Sequence, residues 1–244
     1  MLFRSSNNVI GGAGIVLNGG AGNATLTIQT TGDAIRFNGA TTLASNVVLD
    51  TDNADGTDTA GGTITLTNDA PINSASNEHN NFTLDAGTAA ILFNANIGAA
   101  QSIGSFTVTE ADSGLVFGEA DTATTGSGRT GPVNVISTDG AINFGVGSNV
   151  IGGMGIVLNG GTVGSLLTIT TTNDDVRFNG ATTLRSDVRM TTGSGAGDIT
   201  FTNDSPLDSE TGESNDFSIN AGTGTIRFNE DLGSTTDGQL GRSE

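Results

Sequence analysis

The densest set of hard oxygen donors in the chain is the run "DTDNADGTD", which carries Asp50, Asp52, Asp55 and Asp58. Alternating Asp around a Gly is the chemistry of a Ca2+ loop, because a hard cation takes six to eight oxygens and the chain must turn tightly around it. These four aspartates are the candidate metal ligands and Ca2+ the candidate cofactor. Two features favour a solvated insertion loop instead: Ala54 stands where the EF-hand order requires a ligand, and a later copy of the segment reads "TTGSGAGD". "GSGAGDITF", Gly193 to Phe201, likewise misses the tandem Gly/Asp nonapeptide that binds Ca2+ in parallel β-rolls.

His79 is the only histidine, and Ser74, Ser76 and Asp85 lie near it in sequence. A Ser-His-Asp site would have to use it, yet the chain has no G-x-S-x-G elbow and the aligned residue of the second copy is Ser214. The carboxylate pairs Asp174/Asp175 and Glu230/Asp231 have the residue types of a glycosidase acid and base. Adjacent strand residues point to opposite faces, so turn solvation is the simpler reading of both pairs. No catalytic or cofactor-holding residue is assigned.

The elements that would position such residues are repeats. "VIGGAGIVLNGG" at Val9 returns as "VIGGMGIVLNGG" at Val150, and "RFNGATTL" occurs at Arg36 and again at Arg177. "TITLTNDAPINS" returns as "DITFTNDSPLDS", and "NNFTLDAGTAAILFN" as "NDFSINAGTGTIRFN". The superrepeat spans roughly 140 residues by these matches, so residues 1–141 form one copy and residues 142–244 a second, truncated one. A single continuous domain over residues 1–244 is expected.

A shorter unit lies inside: an apolar-x-apolar pair, six residues, then apolar-x-Phe, as in "LTIQTTGDAIRF" and "FTVTEADSGLVF". Eight copies align. The closing column is Phe37, Leu66, Phe93, Phe117, Phe144, Phe178, Phe201 and Phe228, and it recurs every 23 to 34 residues. All 11 Phe fall in the opening or closing column. Period-two alternation separated by Gly, Asn, Asp and Thr means strands and turns, and no helical stripe is present.

Such short units cannot bury an apolar face alone but can do so by stacking, which predicts an all-β, right-handed parallel β-helix of eight to nine coils, roughly 40 Å long. The aligned columns should then be its ladders. An Asn after the closing Phe (Asn38, Asn94, Asn179, Asn229) and an apolar residue beyond it (Leu43, Ile72, Ile97, Leu184, Leu207, Leu232) predict a third, weaker strand per coil. "GIVLNGG" should lengthen one coil per superrepeat, and Glu119 to Pro132 should protrude as a loop. Arg36 and Arg177 should point outward on one shared face. The alternative architecture is a set of β-sandwich or barrel repeats.

Composition bounds the partners. With 8 Arg or Lys against 26 acidic residues, the formal charge of −18 disfavours nucleic acid and anionic membranes. No Cys is present, which excludes thiolate metal sites and disulfides. "MLFRSSNNVIGG" contains no apolar segment of the kind an export signal needs, and no run reaches the length of a membrane span. An outward Thr row at Thr27, Thr83, Thr107 and Thr168, with Ser218 in phase, has the residue type of an ice-binding ladder, but Val48, Asn134 and Arg189 interrupt it.

"FTLDAGTAAILFNANIG" and "FSINAGTGTIRFNEDLG" resemble the units of giant bacterial β-strand-repeat surface proteins, akin to filamentous-haemagglutinin-like and autotransporter-type adhesins. The resemblance implies secretion, an extracellular or bacterial cell-surface location, a right-handed β-helix and non-enzymatic structural or adhesive work as a stalk or multivalent surface. It also implies that the chain is a fragment of a longer protein. The expected partners are neighbouring repeats of that parent protein, host or matrix carbohydrate or protein, and a second copy bound end to end through open strand edges. The alternatives are a carbohydrate-active β-helix enzyme with a carboxylate site and a Ca2+-dependent carbohydrate-binding module.

Overall fold

The computed structural model describes residues 11–12, 14–20, 24–52, 60–118, 133–160, 165–233 and 239–241. Asp55, Asp58 and the segment from Glu119 to Pro132 lie outside the described residues. Among the described residues there is no helix, and 22 short strands wind through eight three-sided coils.

The first coil is β1 (Ile15–Leu17), β2 (Leu26–Gln29) and β3 (Ile35–Phe37). The second is β4 (Thr41–Leu43), β5 (Val47–Asp50) and β6 (Ile64–Leu66), and the third β7 (Ile72–Ser74), β8 (Phe82–Asp85) and β9 (Ala90–Phe93). In the fourth, the first side is made by isolated bridges of Ile97 to Ile72 and Ile136 and of Ile103 to Thr138, followed by β10 (Phe106–Glu110) and β11 (Gly114–Phe117). The fifth is β12 (Val135–Ser137), β13 (Ile142–Phe144) and β14 (Ile156–Leu158). The sixth is β15 (Leu166–Thr170), β16 (Val176–Phe178) and β17 (Thr182–Leu184), and the seventh β18 (Asp187–Thr191), β19 (Ile199–Phe201) and β20 (Leu207–Ser209). The eighth is β21 (Phe217–Asn220), β22 (Ile226–Phe228) and a bridge at Leu232.

Every pairing between these strands is parallel. The chain is a parallel β-solenoid, and the sandwich or barrel alternative is set aside. First sides stack as β1-β4-β7, continue through Ile97 and resume as β12-β15-β18-β21. Second sides form one eight-stranded sheet from β2 to β22, and third sides a seven-stranded sheet from β3 to β20. At roughly 4.8 Å per step the eight coils span about 35 Å.

The expected third strand per coil is real, since Leu43, Ile72, Leu184 and Leu207 lie in strands and Ile97 and Leu232 in bridges. The ladders, however, do not follow the sequence columns. Phe37, Leu66, Phe93 and Phe117 stack on the third face, but Phe144, Phe178, Phe201 and Phe228 stack on the second. The crossover lies between β10 and β13, where Phe106 pairs with Ile142 and Val108 with Phe144.

The cause is a missing side. Other units supply an opening strand, a closing strand and a third apolar segment, whereas the unit of Phe106 to Phe117 supplies only two among the described residues. The next described strand, β12, an opening strand by type, therefore occupies the first face. From β3 to β16 the chain makes fourteen steps between faces, one short of five full coils, so the second superrepeat is turned back by one side. Arg36 and Arg177 both point outward, but Arg36 is on the third face and Arg177 on the second. Nor does "GIVLNGG" act as an insertion: Ile15–Leu17 and Ile156–Leu158 are ordinary sides, each paired with its own "TTL" strand. Gly14 and Gly155 precede them at φ 71° and 68°, and a Cβ there would stand 2.2 and 2.1 Å from the carbonyl oxygens of Ala40 and Ala181.

Phenylalanine bridges the crossover. Phe82 stacks on Phe106 and Phe93 on Phe117, with centroids 6.1 and 5.2 Å apart. Phe106 then meets Phe93 and Phe144 edge-on, both at 5.4 Å, and Phe178, Phe201 and Phe228 continue the stack. Phe106 is fully buried and touches rings from both faces. Phe106→Ala is therefore expected to cost about 3–5 kcal/mol in urea unfolding, the range for a truncated core aromatic.

Candidate functional site

The outward surface is organised at the corners, where Asn and Asp side chains accept backbone amides from the next coil. The Asn46 Oδ1 accepts the Asn81 amide and Asn81 Oδ1 the Ser105 amide, both at 2.8 Å. At the same corner in the second superrepeat, Asp175 Oδ1 accepts the Asp198 amide at 2.8 Å and Asp198 Oδ1 the Thr225 amide at 2.7 Å. Asp187 Oδ1 accepts the Asp216 amide in the same way. Asn and Asp do the same work because each offers a side-chain oxygen at the same reach.

A second set closes the corner after the strand. Asp50 Oδ1 accepts the Asp52 amide and Asp85 Oδ1 the Gly87 amide, both at 3.1 Å. Thr191 Oγ1 and Asn220 Oδ1 take the amides of Gly193 and Gly222 at the equivalent positions. These are Asx- and Ser/Thr-type turns. Asp50 is buried, and its Oδ2 also accepts from Gln29 Nε2 at 2.9 Å. Of the four candidate Ca2+ ligands, the structure thus gives Asp50 a turn-closing role and places Asp52 as its amide donor. Asp55 and Asp58 are beyond the described residues, among which no group of three or more His, Cys, Asp or Glu is placed to hold a metal ion.

The register does assemble one acidic row that the sequence reading missed: Asp50, Asp85 and Glu110 are in register on the second face, with Gln29 one coil earlier. Its counterparts one side round are Thr170, Thr191 and Asn220. The turn needs an acceptor there and not a charge.

His79 lies at a corner where three successive coils meet. Its Nδ1 is 3.2 Å from Ser102 Oγ and 3.9 Å from Asp139 Oδ2. A Ser-His-Asp relay needs the carboxylate on one ring nitrogen and the hydroxyl on the other, so two partners on Nδ1 do not form one. Ser74 and Asp85 are elsewhere: Ser74 Oγ accepts the Asn80 amide at 2.7 Å, and Asp85 closes its turn. The Asp174/Asp175 pair also diverges, with Asp175 bonded to the next coil while Asp174 offers its backbone oxygen to Thr171 Oγ1. Glu230 and Asp231 are both exposed beside the last bridge.

The Thr row is split by the crossover. Thr27, Thr83 and Thr107 share a row with Val48 and Asn143 on the second face, whereas Thr168, Arg189 and Ser218 lie on the first. Arg177 neighbours Asn143 and Thr200 on the second face. Its guanidinium donates to the carbonyls of Gly145 and Gly147, so it braces the corner below it. On the third face the outward row is apolar at its centre, through Leu92, Val116 and Val157. Val116 and Val157 are buried although they face away from the core.

Corner contacts recur in both superrepeats despite the one-side rotation. Asn80 donates from Nδ2 to the Leu43 carbonyl at 2.8 Å and to Glu78 Oε2 at 2.7 Å; Asn215 donates to the Leu184 carbonyl at 2.9 Å and to Glu213 Oε2 at 3.0 Å. Thr67 donates to Asn38 Oδ1 at 2.6 Å, and Thr202 to Asn179 Oδ1 at 2.5 Å. No protein-family model, curated protein or solved structure matches the chain. Among the described residues no helix is long and apolar enough to cross a membrane.

The corner acceptors make a sharp mutational contrast. Asp198→Asn keeps the oxygen that receives the Thr225 amide and is expected to change stability by no more than about 0.5 kcal/mol. Asp198→Ala removes it and should cost about 1 kcal/mol, both read from urea midpoints at constant slope.

Proposed function

We propose that the chain is a non-enzymatic segment of a large secreted or cell-surface repeat protein, working as a rigid spacer with a multivalent outer surface. The observation that carries this reading is the recurrence of the same corner hydrogen bonds in both superrepeats, at positions rotated by one side. Sequence identity is spent on making the coil, and the rotation presents each repeated outward residue in a new direction. A site that gripped one ligand would need a fixed direction; many weak contacts do not. The resemblance of "FTLDAGTAAILFNANIG" to bacterial surface repeats supports the same reading and its extracellular setting.

Attachment of the purified chain to surfaces coated with matrix carbohydrate or protein tests this. Single outward substitutions, Thr107→Ala, Arg177→Ala and Arg189→Ala, should each lower attachment by about twofold or less, as energetically near-neutral contacts do. Abolition by any one of them would show a localised binding site. Release of reducing ends from a polysaccharide would replace the reading with that of a carbohydrate-active β-helix.

A further inference from the structure

The chain has four Asn-Gly steps, at Asn18, Asn38, Asn159 and Asn179. In three of them the Gly amide is held by a serine one coil further on: Gly19 donates to Ser45 Oγ at 2.8 Å, Gly160 to Ser186 Oγ at 2.6 Å and Gly180 to Ser205 Oγ at 2.9 Å. At Asn38 the serine is missing. Ala70 holds the place of Ser205, since the amides of Ala70 and Ser205 close the same turn onto the carbonyls of Thr67 and Thr202, and both residues are buried. A methyl group accepts nothing, and the buried Gly39 amide forms no hydrogen bond among the described residues. A buried donor left in this state is costly, and its corner opens more readily than a satisfied one.

The two side chains are otherwise held alike. Thr67 donates to Asn38 Oδ1 and Thr202 to Asn179 Oδ1, each placing a donor on the oxygen that gains charge when Cγ is attacked. We propose that Asn38 is a site of self-modification, converting to aspartate or isoaspartate in the folded chain while Asn179, inside the identical "RFNGATTL", is protected by Ser205. The Gly39 nitrogen gives up its proton and bonds to Asn38 Cγ, closing a five-membered succinimide. The Cγ–Nδ2 bond breaks, and the proton returns through water to the leaving nitrogen, which departs as ammonia. Water then opens the ring at either carbonyl, and nothing is oxidised or reduced. Isoaspartate puts one extra main-chain carbon at the corner between β3 and β4, where each side must stay level with the coil above. The inference is independent of the surface role.

The full chain, incubated in mildly alkaline buffer and then cleaved after Arg36 and Arg177, gives two peptides that both begin "FNGATTL" and differ beyond it. Mass spectrometry should show Asn38 converting about fivefold faster than Asn179 or more, on the scale of one net hydrogen bond. In urea the two rates should be equal, because the local sequence is the same. Hydrogen exchange needs the same loss of the amide proton, so Gly39 should exchange faster than Gly180. Ala70→Ser should slow Asn38 and Ser205→Ala should speed Asn179, with the strand signature in circular dichroism unchanged. Equal rates in the folded chain overturn the proposal, as do unequal rates in urea. An Asn38 that stays fast in Ala70→Ser also overturns it, since its speed would then come from lying near the start of the chain.

Discussion

The solenoid depends on a condition of register: each of three faces must receive one apolar-x-apolar segment per coil, at the level of the segment before it. A segment that meets this condition can be an opening strand, a closing strand or a "GIVL" strand, because the neighbour tests only the inward pair. That tolerance is what lets a superrepeat of fourteen sides fit a coil of three. Hydrophobic burial holds the coil and does not distinguish Phe106 on Ile142 from Phe106 on Phe82. The aromatic rings soften the crossover further, since edge-on and offset packing both gain from contact. Phe106 uses the two modes at once.

The second requirement is polar. Three turns per coil leave backbone amides that no strand pairing satisfies, and a buried unpaired amide costs about 1–3 kcal/mol. Asn, Asp, Ser and Thr at the corners meet that need from one coil to the next, as Asn46, Asn81, Asp175 and Asp198 show. Some of the chain's acidity follows from this, since Asp stands where Asn serves equally well. The excess negative charge is then a property of the surface as a whole and sets the sign of its long-range interactions.

Strand positions, the inward pair of each strand and the third side were legible because period-two alternation is local and each residue's face is decided by its immediate neighbours. The face on which a strand stacks is not local: it depends on how many sides precede it. The signal was present in the apolar residues that follow each closing Phe, which are found after Phe37, Phe93 and Phe178 but not after Phe117. Counting that omission would have moved Arg177 and Thr168 to their true faces. The candidate sites were less legible. Asp50 reads as a cation ligand in sequence because a turn-closing carboxylate and a metal ligand share a residue type, and its contacts with Gln29 and Asp52 show the turn-closing role, which sequence alone does not give. The pairing of His79 with Ser102 and Asp139 spans three coils, and no spacing within one coil announces it.

Disulfide trapping across the crossover tests the one-side rotation most directly, in a chain that has no cysteine of its own. Thr107 and Asn143 are outward partners on adjacent strands, so their Cα atoms stand about 4.8 Å apart, inside the range a disulfide spans. Stacking by sequence columns would instead place Thr107 beside Asn134. Thr107→Cys with Asn143→Cys should close an intramolecular bond under mild oxidation, and Thr107→Cys with Asn134→Cys should not. The reverse result would contradict the rotation and restore straight ladders through the whole chain.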